Sequence, residues 1–183
     1  MIYKLYSAPS IEPVSTADAK EHLRIYSGDF DDDNIVARNI RGIRKGVESE
    51  LNRALITQTW DLYLDKWPHG DFIRLPFPPL QSISVFEYTD VDGTTANFTD
   101  YTIDIVSEPG RAVLDYGYSW PSVTLATVNP IHIRFVAGYG DEASDVPEPI
   151  VDAILLRISW LFDGDEDALR ASDNLLWQYR NWA

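Results

Sequence analysis

The spacing of hydrophobic residues changes twice along this chain, and that change limits the folds open to it. From Val36 to Leu51 apolar residues recur every three or four positions, which is the period of an α-helix. Between about residues 57 and 137 apolar and polar residues alternate, which is the period of a half-buried β-strand. From Ile150 to Leu161 the helical period returns. The pattern therefore predicts helices, then strands, then helices.

This order predicts an α+β fold in which a helical domain of about four helices carries an inserted antiparallel β-sheet or sandwich. A β insert within a helical domain explains the order better than two tandem domains do. We expect an N-terminal helical part in residues 1–56 and a β subdomain in residues 57–137. Residues 138–183 should hold the C-terminal helices and a tail.

Local signals mark the predicted helix ends. Ser15 is a suitable N-cap for the first helix, and Asp18 follows it at the spacing of a capping box. The second helix is predicted to begin in Asp31-Asp32-Asp33-Asn34, where carboxylates cap free N–H groups and complement the helix dipole. Gly164 is expected to end the third helix.

Composition excludes several classes of function. The chain has no cysteine, so it can form neither disulfides nor thiolate metal sites. Its formal net charge of −14 repels phosphate backbones and disfavours tight binding to duplex DNA. No segment approaches the ~20 apolar residues of a membrane span. We expect no signal peptide, because residues 1–8 lack an apolar run of the needed length. We expect a soluble protein that is assembled in the cytoplasm and has no membrane partner.

The motifs that could carry chemistry fail on inspection. Residues 29–33 carry aspartate at every second position, but a calcium loop needs Gly and Glu where this chain has Asn34 and Ile40. Residues 138–140 follow a strand, yet the acidic residues after them oppose an anionic ligand. The three histidines, His22, His69 and His132, fall in different elements. We therefore predict no catalytic site, no metal site and no cofactor.

Two groups of residues suit binding to other proteins. The C-terminal group consists of Leu175, Leu176, Trp177, Tyr179, Arg180 and Trp182. Trp, Tyr and Arg dominate interface hot spots, so we predict an anchor for a partner, with Leu175, Tyr179 and Trp182 on one helical face. The alternative is that this segment folds back on its own domain. The second group is predicted on the polar face of the second helix and consists of Arg38, Arg41, Arg44 and Lys45.

Several short segments, in constant order from about residue 9 to the end, resemble one known family. They include Ala19-Lys20-Glu21-His22-Leu23-Arg24, Arg53-Ala54-Leu55-Ile56-Thr57-Gln58-Thr59-Trp60, and Arg134-Phe135-Val136-Ala137-Gly138-Tyr139-Gly140. Further matches lie in residues 12–15, 73–76, 78–82, 109–111, 146–150 and 153–156, and in Tyr179-Arg180-x-Trp182. With these segments the chain resembles the head–tail connector, or head-completion adaptor, proteins of long-tailed phages and gene transfer agents.

This resemblance implies a structural protein of the virion neck. Its implied partners are eleven further copies in a dodecameric ring, the portal protein, and a tail-side stopper or tail-completion protein. Double-stranded DNA would pass through the ring without tight binding. We expect the C-terminal group to dock on the portal and the cations of the second helix to contact a neighbouring subunit. Relatives often carry a small residue and Pro where this chain has Trp177 and Gln178.

Two other functions stay open at this point. A carbohydrate-binding β module could use exposed Trp60, Trp67 or Trp120 to stack on sugars, although the flanking helices and aromatic tail argue against it. A hydrolase could use a pair of the many carboxylates, but nothing in the sequence selects a pair.

Overall fold

The computed structural model describes residues 1–25 and 33–182. These residues form four α-helices: α1 (Thr16–His22), α2 (Asp33–Leu51), α3 (Glu148–Asp163) and α4 (Glu166–Leu176). They also form eight strands: β1 (Ile2–Ser7), β2 (Gln58–Leu64), β3 (Phe72–Arg74), β4 (Leu80–Thr89), β5 (Thr95–Asn97), β6 (Tyr101–Asp104), β7 (Arg111–Leu114) and β8 (Ile131–Ala137). All strand pairs are antiparallel. The predicted α+β fold is confirmed.

The chain divides into two compact units. The β unit comprises Met1–Ala8 and Thr57–Gly138, and the helical unit comprises Pro9–Ile56 and Tyr139–Trp182. The sequence-based boundaries placed all of residues 1–56 in a helical part, and for the first eight residues this is wrong, because β1 pairs along β2. All six residues of β1 are exposed, so neither face of the strand is buried. Its sequence, Ile2-Tyr3-Lys4-Leu5-Tyr6-Ser7, lacks the apolar–polar alternation by which a half-buried strand is recognised.

The β unit contains two sheets. The larger has the strand order β1-β2-β8-β4-β5, and the smaller has the order β3-β7-β6. On one face of the larger sheet the fully buried side chains of Leu62, Ile133 and Phe135 form core. Their neighbours along the strands, such as Asp61 and Arg134, point to the opposite face, as the two-residue period of a strand requires.

The helical unit has a separate core. It is built from Val14, Ala19, Val36, Ile40, Val47, Leu51, Leu55, Ile56, Val146, Ile150, Ala153, Ile154, Ile158 and Leu176. The predicted N-cap is confirmed, since the Asp18 amide donates to Ser15 Oγ at 3.1 Å. Gly164 ends α3 in the left-handed conformation with φ of 71°, where a residue without a side chain is favoured.

Two expectations concern residues 29–33. Asp29 and Asp31, which belong to the failed calcium motif, lie outside the described residues. Asp33 is the first residue of α2 and pairs with Lys20. Among the helices that the structure describes, none is long and apolar enough to cross a membrane.

Candidate interaction surfaces

Hydrogen bonds hold the C-terminal segment against the rest of the helical unit. Asp165 is the N-cap of α4, and its Oδ1 accepts from the amides of Asp167 and Ala168 at 3.0 and 3.1 Å. The helix ends at Leu176, and a turn of 3-10 helix follows over Trp177–Tyr179. Arg53 Nε then donates to the carbonyl oxygen of Tyr179, and the Asn181 amide donates to the carbonyl of Leu51 at 2.9 Å.

The inner side of this segment belongs to the core of its own unit. Leu176 is fully buried, and Leu175 and Tyr179 pack half-buried against the same core. The prediction of one helical face through Leu175, Tyr179 and Trp182 is wrong, because α4 ends at Leu176 and the tighter 3-10 turn changes the spacing. The inner side of the segment therefore fits the alternative, in which the segment folds back on its own domain. This applies to Leu175, Leu176 and Tyr179.

The outer side carries an aromatic surface. Trp177 is 65% exposed and Trp182 is 67% exposed. Their rings meet edge to face with centroids 5.4 Å apart. The Arg180 guanidinium carbon lies 4.4 Å from the centroid of the Trp182 ring, a cation–π contact. We call Trp177, Arg180 and Trp182 the tryptophan cluster, and its residue types are those enriched in binding hot spots.

A second surface lies on α2. Arg38, Arg41 and Lys45 are exposed, and their spacings of three and four place them on one side of the helix. None of the three forms an ion pair with another residue that the structure describes. We call these three residues the α2 cationic stripe.

Arg44 does not belong to this stripe. It was predicted on the exposed face, and this is wrong, because its side chain is only 4% exposed. Arg44 Nε donates to Glu12 Oε2 at 2.6 Å, and Nη1 donates to Glu48 Oε2 at 2.5 Å. Glu48 in turn accepts from the Leu55 amide at 3.0 Å through its other oxygen. Arg44 is therefore bound within its own unit, and its guanidinium is not free to contact another protein.

The outward face of the larger sheet carries a connected polar network. Arg134 Nε donates to Asp61 Oδ1 at 2.7 Å, and His132 Nε2 lies 2.8 Å from the same oxygen. His132 Nδ1 lies 2.9 Å from Glu87 Oε1, and the Tyr63 ring stacks on the imidazole at 4.8 Å. Burial acts to raise the pKa of Asp61, but the hydrogen bonds from Arg134 and His132 outweigh it and hold that pKa below its ordinary value. The network crosses strands β2, β8 and β4.

This network does not have the layout of a catalytic triad. A general-base histidine needs one ring nitrogen free to accept a proton from a nucleophile. Both nitrogens of His132 face carboxylate oxygens instead. His22 lies on α1 and His69 in a loop. Within residues 1–25 and 33–182, no group of three or more His, Asp or Glu side chains is arranged to hold a metal ion.

The three tryptophans considered as sugar platforms pack against other aromatic rings. Trp67 and Trp120 stack on each other with centroids 4.9 Å apart and planes 7° apart. Trp60 lies 4.3 Å from the ring of Phe77. One face of each indole is thereby occupied within the β unit. None of the three is among the exposed large hydrophobic side chains of the described residues, whereas a platform for sugar rings needs an exposed indole face. The geometry therefore gives the carbohydrate-binding alternative no specific support.

Comparison with known proteins shows where this fold occurs. Neither a model of a protein family nor a curated protein sequence matches the chain. Solved structures of gene transfer agent particles do match, over 100% of this chain and 97% of the other chain in each case. A virion of a native particle gives a TM-score of 0.83 at 20% identity, and the neck of an empty particle, computed with C6 symmetry, gives 0.82 at 21%. The neck of a native particle, computed with C12 symmetry, gives 0.79 at 20%.

At these identities the likeness establishes a shared fold over the full length of the chain. The residues of the tryptophan cluster and of the α2 cationic stripe were predicted from the sequence as contacts, and the structure leaves their side chains exposed. The sequence did not indicate the polar network of the β unit, because the partners of Asp61 lie more than 70 residues away along the chain. Only the register of β2 against β8 brings them together.

Proposed function

We propose that this chain is a structural subunit of a virion neck, the adaptor ring that joins the DNA-filled head to the tail beneath the portal. The observation that carries this proposal is the full-length match to chains of gene transfer agent particles, two of them described as necks. The resemblance of the sequence segments to head–tail connector proteins supports it independently. The chain would act by binding other proteins of the particle. The particle would be assembled in the host cytoplasm.

The proposed ring has twelve copies. One of the matching necks was computed with C12 symmetry, which supports this number. A tail-side stopper or tail-completion protein would bind the opposite surface of the ring. The acidic balance of the chain, with a net charge of −14, suits a channel through which double-stranded DNA slides without being held.

The tryptophan cluster is the proposed portal-docking surface. Of the six residues expected to dock, Trp177, Arg180 and Trp182 are exposed, while Leu176 is buried and Leu175 and Tyr179 are half-buried. The packing of Leu175, Leu176 and Tyr179 against the core would fix the position of the cluster. The α2 cationic stripe is the proposed contact with carboxylates of a neighbouring subunit, although exposed ion pairs contribute only ~0.2–1 kcal/mol each.

The copy number of the ring is tested by measuring the mass of the purified chain with and without the portal protein of its own particle. Native mass spectrometry gives the mass of each complex. We expect twelve copies of the chain on one portal ring. A chain that does not bind the portal under any buffer condition, or binds in another ratio, contradicts the adaptor role.

The docking surface is tested by Trp177→Ala and Trp182→Ala. Because both side chains are exposed, the melting temperature of the isolated chain should change little, while portal binding should weaken by about 2 kcal/mol or more per docked copy. Tyr116→Ala, which removes a fully exposed aromatic side chain of the β unit, serves as the matched control and should leave portal binding intact. Unchanged binding by both tryptophan variants would contradict this surface assignment.

A further inference from the structure

Strand β1 leaves one edge of the larger sheet open. Within the described residues it pairs with β2 alone, and all six of its residues are exposed. Ile2, Tyr3 and Tyr6 are 56%, 49% and 60% exposed, so the edge carries apolar side chains as well as unpaired backbone groups. Such an edge is a template for a strand from another chain, and proteins that do not use it normally shield it.

A second open edge lies on β4 of the same sheet. Strand β5 pairs only with Glu87, Tyr88 and Thr89. Within residues 81–85, Ser82, Ile83 and Val85 pair with β8 on one side. In the part of the chain that the structure describes, no strand pairs with residues 81–85 on the other side. This open stretch is five residues long and β1 is six, so the two lengths differ by one residue.

The directions of the two edges match. Strand β1 is antiparallel to β2, β2 to β8, and β8 to β4, so β1 and β4 run in opposite directions. A second copy that is rotated about an axis along the strands keeps its strand directions. Its β1 would therefore meet β4 of the first copy in antiparallel orientation, which continues the alternation of the sheet.

Register shifts in β4 favour a rotation of each copy relative to the next. The register of β4 against β8 shifts between Leu80 and Ser82 and again between Ile83 and Val85. Bulges of this kind bend a strand and increase its twist. A sheet that continued through this segment would turn from copy to copy, as a ring requires, instead of extending flat.

We propose that β1 of one copy pairs with residues 81–85 of β4 in the next copy, so that one sheet runs across the subunit interface. The inference rests on the proposed ring function. The occupant is a second copy of this chain, because every copy supplies both edges of the pair. The contact is head to tail, so addition continues until the ring closes, and a closed ring leaves neither edge open.

A disulfide between copies tests this pairing directly. The chain has no cysteine, so Lys4→Cys and Ser82→Cys introduce the only two thiols. Both positions are exposed and lie on the face of the polar network, since Lys4 is opposite Asp61 and Ser82 is opposite Val136, two residues from Arg134. Within one copy, three strand spacings separate β1 from β4, about 14 Å, which a disulfide cannot bridge. Any disulfide between positions 4 and 82 must therefore join two copies.

The variant with both Lys4→Cys and Ser82→Cys is oxidised, and its products are separated on a non-reducing gel. Native mass spectrometry gives their masses. We expect covalent oligomers beyond the dimer. Each single variant can give dimers at most. The pair Lys4→Cys with Thr102→Cys, which uses an exposed position on β6, is the matched control and should give no ladder. Unchanged melting temperatures would show that the variants fold.

The possible failures separate the two proposals. Rings that form, alone or on the portal, without a bond between positions 4 and 82 would overturn the strand pairing and leave the adaptor role standing. A chain that stays monomeric up to about 1 mM and gives no ladder on the portal would also overturn the pairing. Failure to bind the portal at all contradicts the adaptor role, whatever the cross-linking result.

Discussion

At the scale of single residues, two arginines with little solvent exposure connect separate segments of the helical unit. Arg157 on α3 donates to Glu50 on α2 at 2.6 Å, and to Ser172 and Asp173 on α4 at 3.0 and 2.8 Å. Arg44 ties α2 to Glu12, 32 residues earlier. Charged side chains with such low exposure are retained only when they are paired. Arg157 therefore holds α3 against α2 and α4, and Arg44 holds α2 against the segment that precedes α1.

The first prediction concerns Arg44. Changing Arg44→Met leaves the carboxylates of Glu12 and Glu48 without their cation, and both are largely withdrawn from water. We expect the free energy of unfolding to fall by about 3 kcal/mol, as measured by urea denaturation. Lys45→Met changes the exposed neighbour of the same charge and should cost no more than about 0.5 kcal/mol. Equal effects of the two changes would contradict the internal role of Arg44.

The second prediction concerns pH and Asp61. Its folded-state pKa lies below the ordinary value of 3.8, so ionised Asp61 stabilises the fold above that pH. This stability is lost as pH falls below 3.8 through the lower folded-state pKa. We expect Asp61→Asn to melt at a lower temperature than the parent at pH 7, and the difference to shrink as pH falls below about 4.

Thermal melts from pH 7 to pH 3 measure this effect. Asp92→Asn, at the exposed turn between β4 and β5, is the control and should follow the parent at every pH. A gap between Asp61→Asn and the parent that stays constant with pH would show that the charge of Asp61 does not contribute to stability.

At the scale of elements, the close approach of strand β4 to the turn before β7 depends on a glycine. Gly110 is buried, and its carbonyl accepts from the Leu75 amide at 2.8 Å. A Cβ atom at this position would lie closer to Leu80 Cβ than any ordinary contact between carbon atoms allows. The neighbouring atom is not the end of a flexible side chain, so it cannot simply swing away.

The third prediction follows from that close approach. Gly110→Ala should destabilise the β unit by about 1–3 kcal/mol, because either β4 or the turn must move. Gly70→Ala is the matched control, since a Cβ there meets nothing within 4 Å, and it should change stability by no more than about 0.5 kcal/mol. Chemical denaturation of both variants, with far-UV circular dichroism as the signal, gives the comparison. An unaffected Gly110→Ala variant would mean that the two segments are not in contact.

The elements also show what a sequence can and cannot reveal. Helix α2 was predictable because its apolar residues recur with one period over 19 residues, and Ser15 could be recognised as a cap from its neighbours alone. The tail was harder. Leu176 and Trp182 look alike as hydrophobic residues, yet one is buried and one is 67% exposed. That difference depends on Arg53 and Leu51, which hold the tail from more than 120 residues away.

At the scale of the whole molecule, charge is the dominant feature, and it yields the fourth prediction. With a net charge of −14, the isolated chain should bind random duplex DNA more weakly than about 1 μM at physiological salt. Reversing the charges of Arg38 and Arg41 should change this binding little, because the stripe is a local exception on an acidic protein. Fluorescence anisotropy with labelled DNA over a range of salt concentrations measures it. Salt-sensitive, submicromolar binding would contradict a channel that lets DNA slide.

The order of the two units along the chain has a consequence for synthesis on the ribosome. The helical unit is discontinuous in sequence, and residues 57–138 separate its two parts. The first and last strands of that intervening segment pair with each other, from Gln58 with Ala137 to Leu64 with Ile131. Once this ladder has formed, residues 56 and 139 are already close, and the entropy of closing a loop of that length has been lost before α3 leaves the exit tunnel. Helices α3 and α4 can then dock on α2 without a further entropic cost for closing the long loop between them.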